Sequence, residues 1–314
     1  MAILETVLLK PHSQNHTNHK KPMLKNSLVV LLLLALIGLI AWRFSDLLEA
    51  GQYQYIQQQA KPAVQQKKWA AAVQVYENGL KQYPQNASIM TALAKTYSRL
   101  DNKNKAEVYY RRALKQKPNS KLALLNLILL IHYDNPSRFS ESVGLLKKAF
   151  EEYDDDIDVL NTAGHLYLNR GKALPQNNTE KRFFAFTRAE KYYEQSLKKN
   201  PTQFVILFQL ASLHQQMGHT RLGVKFYCKA LALNEDHLAA RYNLSLLMQR
   251  LQYYQQAYLH LNRVIKLAHQ SNHVAQAQKM TLQAQALKRK VSRQPKKATQ
   301  PTDFMPQSCL MKQI

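Results

Sequence analysis

The chain has 314 residues, 46 % of them apolar, only 8 Gly, and a formal net charge of +24. A chain of that length buries a substantial core, and the low glycine content fits a helix-rich globular class rather than a collagenous or low-complexity one. Two cysteines give no disulfide framework, so cysteine usage does not fix the compartment, and an intermolecular bridge through Cys309 is the pairing to consider.

Residues 1–25 form a polar leader, expected to be disordered, whose His12, His16 and His19 sit in an Asn/His-rich tract. Leu28 to Trp42 is an unbroken apolar run, bordered by Ser27 and Phe44. That is long enough to cross a thin bilayer, and Trp42 and Phe44 stand where interfacial aromatics belong. Leu39 and Ala41 supply no small-x-small cleavage pattern, so residues 26–44 read as a retained transmembrane anchor. Lys20, Lys21 and Lys25 precede the run, whereas Arg43 follows it with Asp46 and Glu49 close behind. Positive charge stays cytoplasmic. The leader is therefore expected inside the inner (cytoplasmic) membrane and everything after the anchor outside it, in the periplasm if the host is a Gram-negative bacterium.

Residues 45–68 make a Gln-rich stalk with Tyr53, Tyr55 and Ile56 at helical spacing, continuous as far as Pro62, whose ring disfavours a helix interior. From here a pattern recurs. Pro84, Pro118, Asp154, Pro201, Glu235 and His269 close successive units in steps of 34, 36, 47, 34 and 34 residues. Within each unit a small residue (Ala72, Ala106, Ser142, Ala189, Gly223, Ala257) precedes by four residues Tyr76, Tyr110, Leu146, Tyr193, Tyr227 or Leu261. A second small or apolar residue stands three further on, all on one helical face. The cleanest unit reads Met90, Leu93, Ala94, Tyr97, Ala106, Tyr110, Ala113, Pro118.

This pattern resembles the tetratricopeptide repeat, a helix–turn–helix unit with a period of about 34 residues. The resemblance implies an all-α fold: a right-handed α-solenoid of about six repeats over residues 53–270, preceded by one transmembrane helix. The first unit is degenerate, with Gln59 and Ala60 at its leucine–small pair. An insertion falls at 168–187. Residues 271–291 are a capping helix that covers the last apolar face, and 292–314 a disordered basic tail. The acidic run Glu151 to Asp158 reads as helix capping rather than a calcium loop.

In this family the inner face is lined by the first helix (A) of each unit, and a partner segment lies in that groove. Carried over by position, the resemblance makes Lys95, Asn126, Asn161, His165, Phe208, Ser212, Gln215, Tyr242, Asn243 and Arg250 the candidate lining. Lys95 and Asn126 partly match a carboxylate-clamping subtype, but Leu122, Leu129 and Asp158 stand where further cations are needed. Lys181, Arg182, Phe183 and Phe184 in the insertion form a second candidate surface.

Between residues 44 and 291, 35 Lys and Arg face 18 Asp and Glu, a balance of +17 spread over every unit. That charge admits a nucleic-acid or other anionic-polymer binder, but no helix-turn-helix, zinc-finger or RNA-recognition signature accompanies it. An organelle import receptor with a cytosolic solenoid is the other alternative. No nucleophile–base pairing, metal-ligand spacing or phosphate-cradling loop is present. The expectation is a non-catalytic scaffold or adaptor of a cell-envelope complex, of pilus, secretion or cytochrome-maturation type. Its partners are protein segments and, through Leu28 to Trp42, the membrane; no cofactor, metal, small molecule or nucleic acid is expected.

Overall fold

The structure, a computed structural model, describes residues 21–270, 274–293 and 309–310. The leader before Lys21 and most of the tail lie outside the described residues. Thirteen α-helices are found there: α1 Lys21–Gln65, α2 Trp69–Gln82, α3 Ala87–Arg99, α4 Lys103–Gln116, α5 Lys121–Asp134, α6 Phe139–Glu152, α7 Ile157–Ala173, α8 Thr179–Lys199, α9 Phe204–Gln216, α10 Thr220–Leu233, α11 Leu238–Arg250, α12 Tyr254–Gln270 and α13 Val274–Arg293. They pair as α1/α2, α3/α4, α5/α6, α7/α8, α9/α10 and α11/α12, each pair packing on the next, with α13 on α12. We call the first helix of each pair A and the second B.

The small and aromatic register explains the packing. Ala72, Ala106, Ser142, Ala189 and Ala257 are wholly buried, so each B helix closes on its A helix without an intervening side chain. Tyr110, Tyr193 and Tyr227 fill the space beyond them, at most 1 % exposed. Burial of their rings pushes the Tyr110 and Tyr227 hydroxyls up to about 12.

The A–B turns explain the steps. Lys67, Asp101, Gly218 and Gln252 end helix A with positive φ in the first, second, fifth and sixth pairs. The following amide reaches back to the helix: Lys68 N to Ala63 O, Asn102 N to Tyr97 O, His219 N to His214 O and Tyr253 N to Met248 O, all 2.8–3.0 Å. This is the Schellman closure of a helix C-terminus. The two units that depart from 34 residues lack it. The third inserts a 3-10 turn, Pro136–Arg138, and the fourth lengthens α7 and α8 around residues 174–178.

The first unit is less degenerate than its sequence suggests. Ile56 and Ala60 are buried in the first core, with Tyr53, Ala63 and Val64 packed against it. Gly79 on α2 makes this approach possible, since a Cβ there would stand 2.8 Å from Ile56 Cγ2. Pro62 lies inside α1, three residues before its end at Gln65, so the helix runs through it without the one hydrogen bond that its missing N–H would have given to Gln58 O.

Helix α1 also ties back to later units. Asp46 pairs with Lys117 at 2.9 Å, Glu49 Oε1 accepts from Ser88 N and Oγ, and Asn86 donates to Glu49 O and Gln52 Oε1. Upstream, the valines, leucines and isoleucines from Val29 to Ile40 are more than half exposed, uncovered by the stack. This is the one described helix long and apolar enough to cross a membrane.

The C-terminus departs from expectation. Cys309 is not a free tail thiol or an intermolecular link: it is bonded to Cys228 of α10, closing a loop across 81 positions. Cys309 and Leu310 pack into the last core with Ala284 and Leu287 of α13. Buried His260 fixes the tail as well: Nε2 lies 3.1 Å from Cys309 O and Nδ1 3.4 Å from the guanidinium of buried Arg241. That pairing selects the neutral tautomer with hydrogen on Nε2. Burial, then the Arg241 charge, holds the ring down at about 4.

Candidate functional site

Antiparallel pairs place the A helices side by side on the inner face, as the repeat pattern implies. In the first three units this face holds a groove of about 370 Å³ between α1, α3 and α5. Tyr53 of α1 and Trp69 and Tyr76 of α2 form its aromatic wall. Thr91, Lys95 and Arg99 of α3 form its floor, and Leu122 of α5, 55 % exposed, its far rim. Lys95 and Arg99, one turn apart, are exposed on the same face. Among the described residues that line the groove none is acidic.

The carried-over positions divide into two groups. Lys95 opens into this groove, and Arg250 is exposed at the end of α11. Ser212 is half-buried on α9. Half-buried Tyr242 packs against the last core. The others have hydrogen-bond or ring partners within the protein, Asn126 at the surface and the rest between helices. Asn126 Nδ2 donates to Leu122 O of its own helix at 2.7 Å. Asn161 Nδ2 donates to Gln203 Oε1 at 2.8 Å, joining the fourth unit to the fifth. His165 Nδ1 meets the Tyr193 hydroxyl at 2.9 Å, and burial lowers the imidazole's affinity for a proton.

Tyr227 joins two more of these positions. Its hydroxyl donates to Gln215 Oε1 at 3.1 Å and accepts from Asn243 Nδ2 at 3.0 Å, linking α9, α10 and α11. Phe208 stands edge-on to Tyr227, with ring centroids 5.6 Å apart, and packs on His237. Asn161–Gln203 and Asn243–Tyr227 tie neighbouring units together, whereas the His165 and Gln215 bonds join the two helices of one unit. The positions alone did not reveal this, because a helix-face pattern does not show which polar groups meet across a turn. It likewise missed Tyr53 and Trp69, which face the groove only because α1 closes its end.

The insertion carries the second candidate surface. Phe186 is buried against Gly171 of α7, but Phe183 and Phe184 are 61 % and 54 % exposed. Lys181 is exposed beside them and Arg182 is half-buried, its guanidinium 5.8 Å from the Phe186 ring. Among the described residues no group of three or more His, Cys, Asp or Glu could hold a metal ion.

Profiles described as tetratricopeptide repeat match residues 63–128 and 205–237. The chain carries tetratricopeptide repeats. The tetratricopeptide stack is similar to the crystal structure of PilW, described as a widely conserved type IV pilus biogenesis factor. That match has TM-score 0.60 and 20 % identity, and covers 73 % of this chain and 98 % of that one. It is similar also to PilF of Pseudomonas aeruginosa, with TM-score 0.56 and 16 % identity, covering 75 % of this chain and 99 % of that one. At these identities the likeness is one of fold. No curated protein matches the chain. Stacked helical repeats of this kind are scaffolds whose curved face supplies an extended surface for protein contacts.

Proposed function

We propose that this protein is a non-catalytic adaptor, tethered in the inner membrane by α1 with its N-terminus cytoplasmic. Its tetratricopeptide stack lies in the periplasm and holds a segment of an envelope-assembly subunit in the groove of the first three units. The observation that carries this reading is the continuity of α1. One uninterrupted helix bears the exposed apolar run and supplies Ile56 and Ala60 to the first core. No flexible linker separates anchor from groove, so the groove sits at a set height beside the bilayer.

Two further observations support the topology. The cations Lys20, Lys21 and Lys25 precede the run, and the Cys228–Cys309 bond belongs to an oxidising compartment. A type IV pilus assembly is the envelope complex that the fold neighbours favour. Within the groove, Lys95 and Arg99 select a carboxylate-bearing segment, and Trp69 with Tyr53 and Tyr76 an apolar or aromatic side chain on it. A photo-cross-linking residue at Lys95, compared with one at Arg112 on α4, tests this in cells. The reading requires an envelope-assembly subunit linked from Lys95 and not from Arg112. Equal labelling from both positions, or links only to cytosolic proteins, contradicts it.

A further inference from the structure

We infer that the start of α8 is a second docking surface, for an acidic protein segment carrying apolar side chains. Phe183 and Phe184 are adjacent phenylalanines, both more than half exposed. Exposed aromatics paired in this way mark contact surfaces, since each is held in water at a cost that a partner removes. Beside them lies a notch of about 330 Å³ between α8 and the α9–α10 turn, lined by Thr179, Arg182, Phe183, Phe186 and Met217.

Charge specifies the occupant. Lys181 and Arg188 are exposed, and the Arg188 guanidinium lies 5.2 Å from the Phe184 ring centroid. Of the two carboxylates in the first twelve residues of α8, Glu190 is turned toward buried His214, its Oε1 3.4 Å from Nε2. That leaves Glu180 as the single outward acid among these residues. The surface therefore presents two apolar rings framed by cations, the complement of an acidic segment with apolar side chains.

A lipid headgroup layer offers similar chemistry, and topology argues against it. The A–B turns lie on one edge of an antiparallel stack and the B–A turns on the other. Helix α1 leaves from the B–A edge, where Asp46 meets Lys117 and Glu49 meets Asn86 and Ser88. Phe183 and Phe184 rise from the A–B edge, immediately after the α7–α8 turn. They belong to the side away from the bilayer that would hold α1.

The full chain in zwitterionic nanodiscs is titrated with a short fluorescein-labelled peptide of alternating Glu and Leu, and with its Lys-for-Glu counterpart. Anisotropy is read at low and high salt against empty nanodiscs. The expected result is binding of the Glu/Leu peptide alone, weakened by salt. It should weaken about tenfold or more in Phe183→Ala/Phe184→Ala and in Lys181→Glu/Arg188→Glu. Because these side chains are exposed, circular dichroism of the variants should match the parent. Each titration is run in a Lys95→Glu/Arg99→Glu background, which removes the acidic-segment site proposed in the groove of the first three units, so that the remaining binding reports on α8 alone. In that background, absence of binding, binding that survives both double substitutions, or capture of anionic vesicles through Phe183 and Phe184 without peptide binding overturns the inference.

Discussion

Gly164→Ala is a small change with a large expected effect. Gly164 lies inside α7, and a Cβ there would stand 2.5 Å from Tyr193 Cδ1 and 2.9 Å from its Cζ. Carbon atoms in ordinary contact keep about 3.5–4.0 Å. The ring cannot turn aside freely: Tyr193 is wholly buried and its hydroxyl is bonded to His165 Nδ1. Alanine gains about 1 kcal/mol of helix propensity over glycine. Against that stand an overpacking cost of about 1–3 kcal/mol and about 1 kcal/mol for a displaced hydrogen bond. The net expectation is a loss of about 1–3 kcal/mol.

Gly144→Ala on α6 is the control, because that glycine is exposed and a Cβ there meets nothing within 4 Å. It should gain about 0.5–1 kcal/mol. Urea denaturation of the full chain in detergent, followed by circular dichroism, compares the two. Hydrogen exchange should show the Gly164→Ala loss first in α7 and α8, since each repeat contacts only its neighbours. If Gly164→Ala is as stable as the parent, or gains as much as Gly144→Ala, the close approach of α7 and α8 is refuted.

Reducing the Cys228–Cys309 bond, or Cys228→Ser with Cys309→Ser, should destabilise the C-terminal units by up to about 4 kcal/mol, from the length of the loop it closes. Thiol labelling of the unreduced chain should find no free cysteine, and a denaturant series with and without reductant reads the loss. Acid should weaken the fold through its buried histidines. Burial lowers His214 and His260 from 6.5 to about 4. The unfolded chain therefore binds protons that the folded chain refuses between those limits. Their stabilisation is complete above pH 6.5 and is lost as pH falls toward 4, by about 2 kcal/mol per histidine by pH 5. Midpoints measured at pH 7 and pH 5 for the parent and His260→Gln check this; an identical pH dependence in the two refutes the role of His260.

Much of the fold was legible because one residue type at one spacing did one physical job. Ala72, Ala106 and Ala257 permit helices to touch, Tyr110, Tyr193 and Tyr227 fill the layer behind, and both repeat with the helical period. The irregular steps were legible as insertions, but their conformations were not: a 3-10 turn and two lengthened helices absorb extra residues equally well in a sequence. The link between Cys228 and Cys309 had no signal, because no periodicity relates a B-helix position to a tail 81 residues away. The groove was legible as a face and not as a lining. Gln215 and Asn243 occupy inner-face positions yet serve Tyr227, while Trp69 starts a B helix and faces the groove. In the insertion, Phe183, Phe184 and Phe186 read alike in sequence, and only Gly171 of α7 determines that Phe186 is the one buried.

The proposed topology is tested most directly by protease treatment of spheroplasts making the full chain, with an epitope in the leader and another after α13. An extracytoplasmic stack predicts that external protease destroys the C-terminal epitope and leaves a leader-and-anchor fragment protected until the membrane is breached. Protection of the C-terminal epitope in intact spheroplasts, with digestion only after lysis, would contradict it.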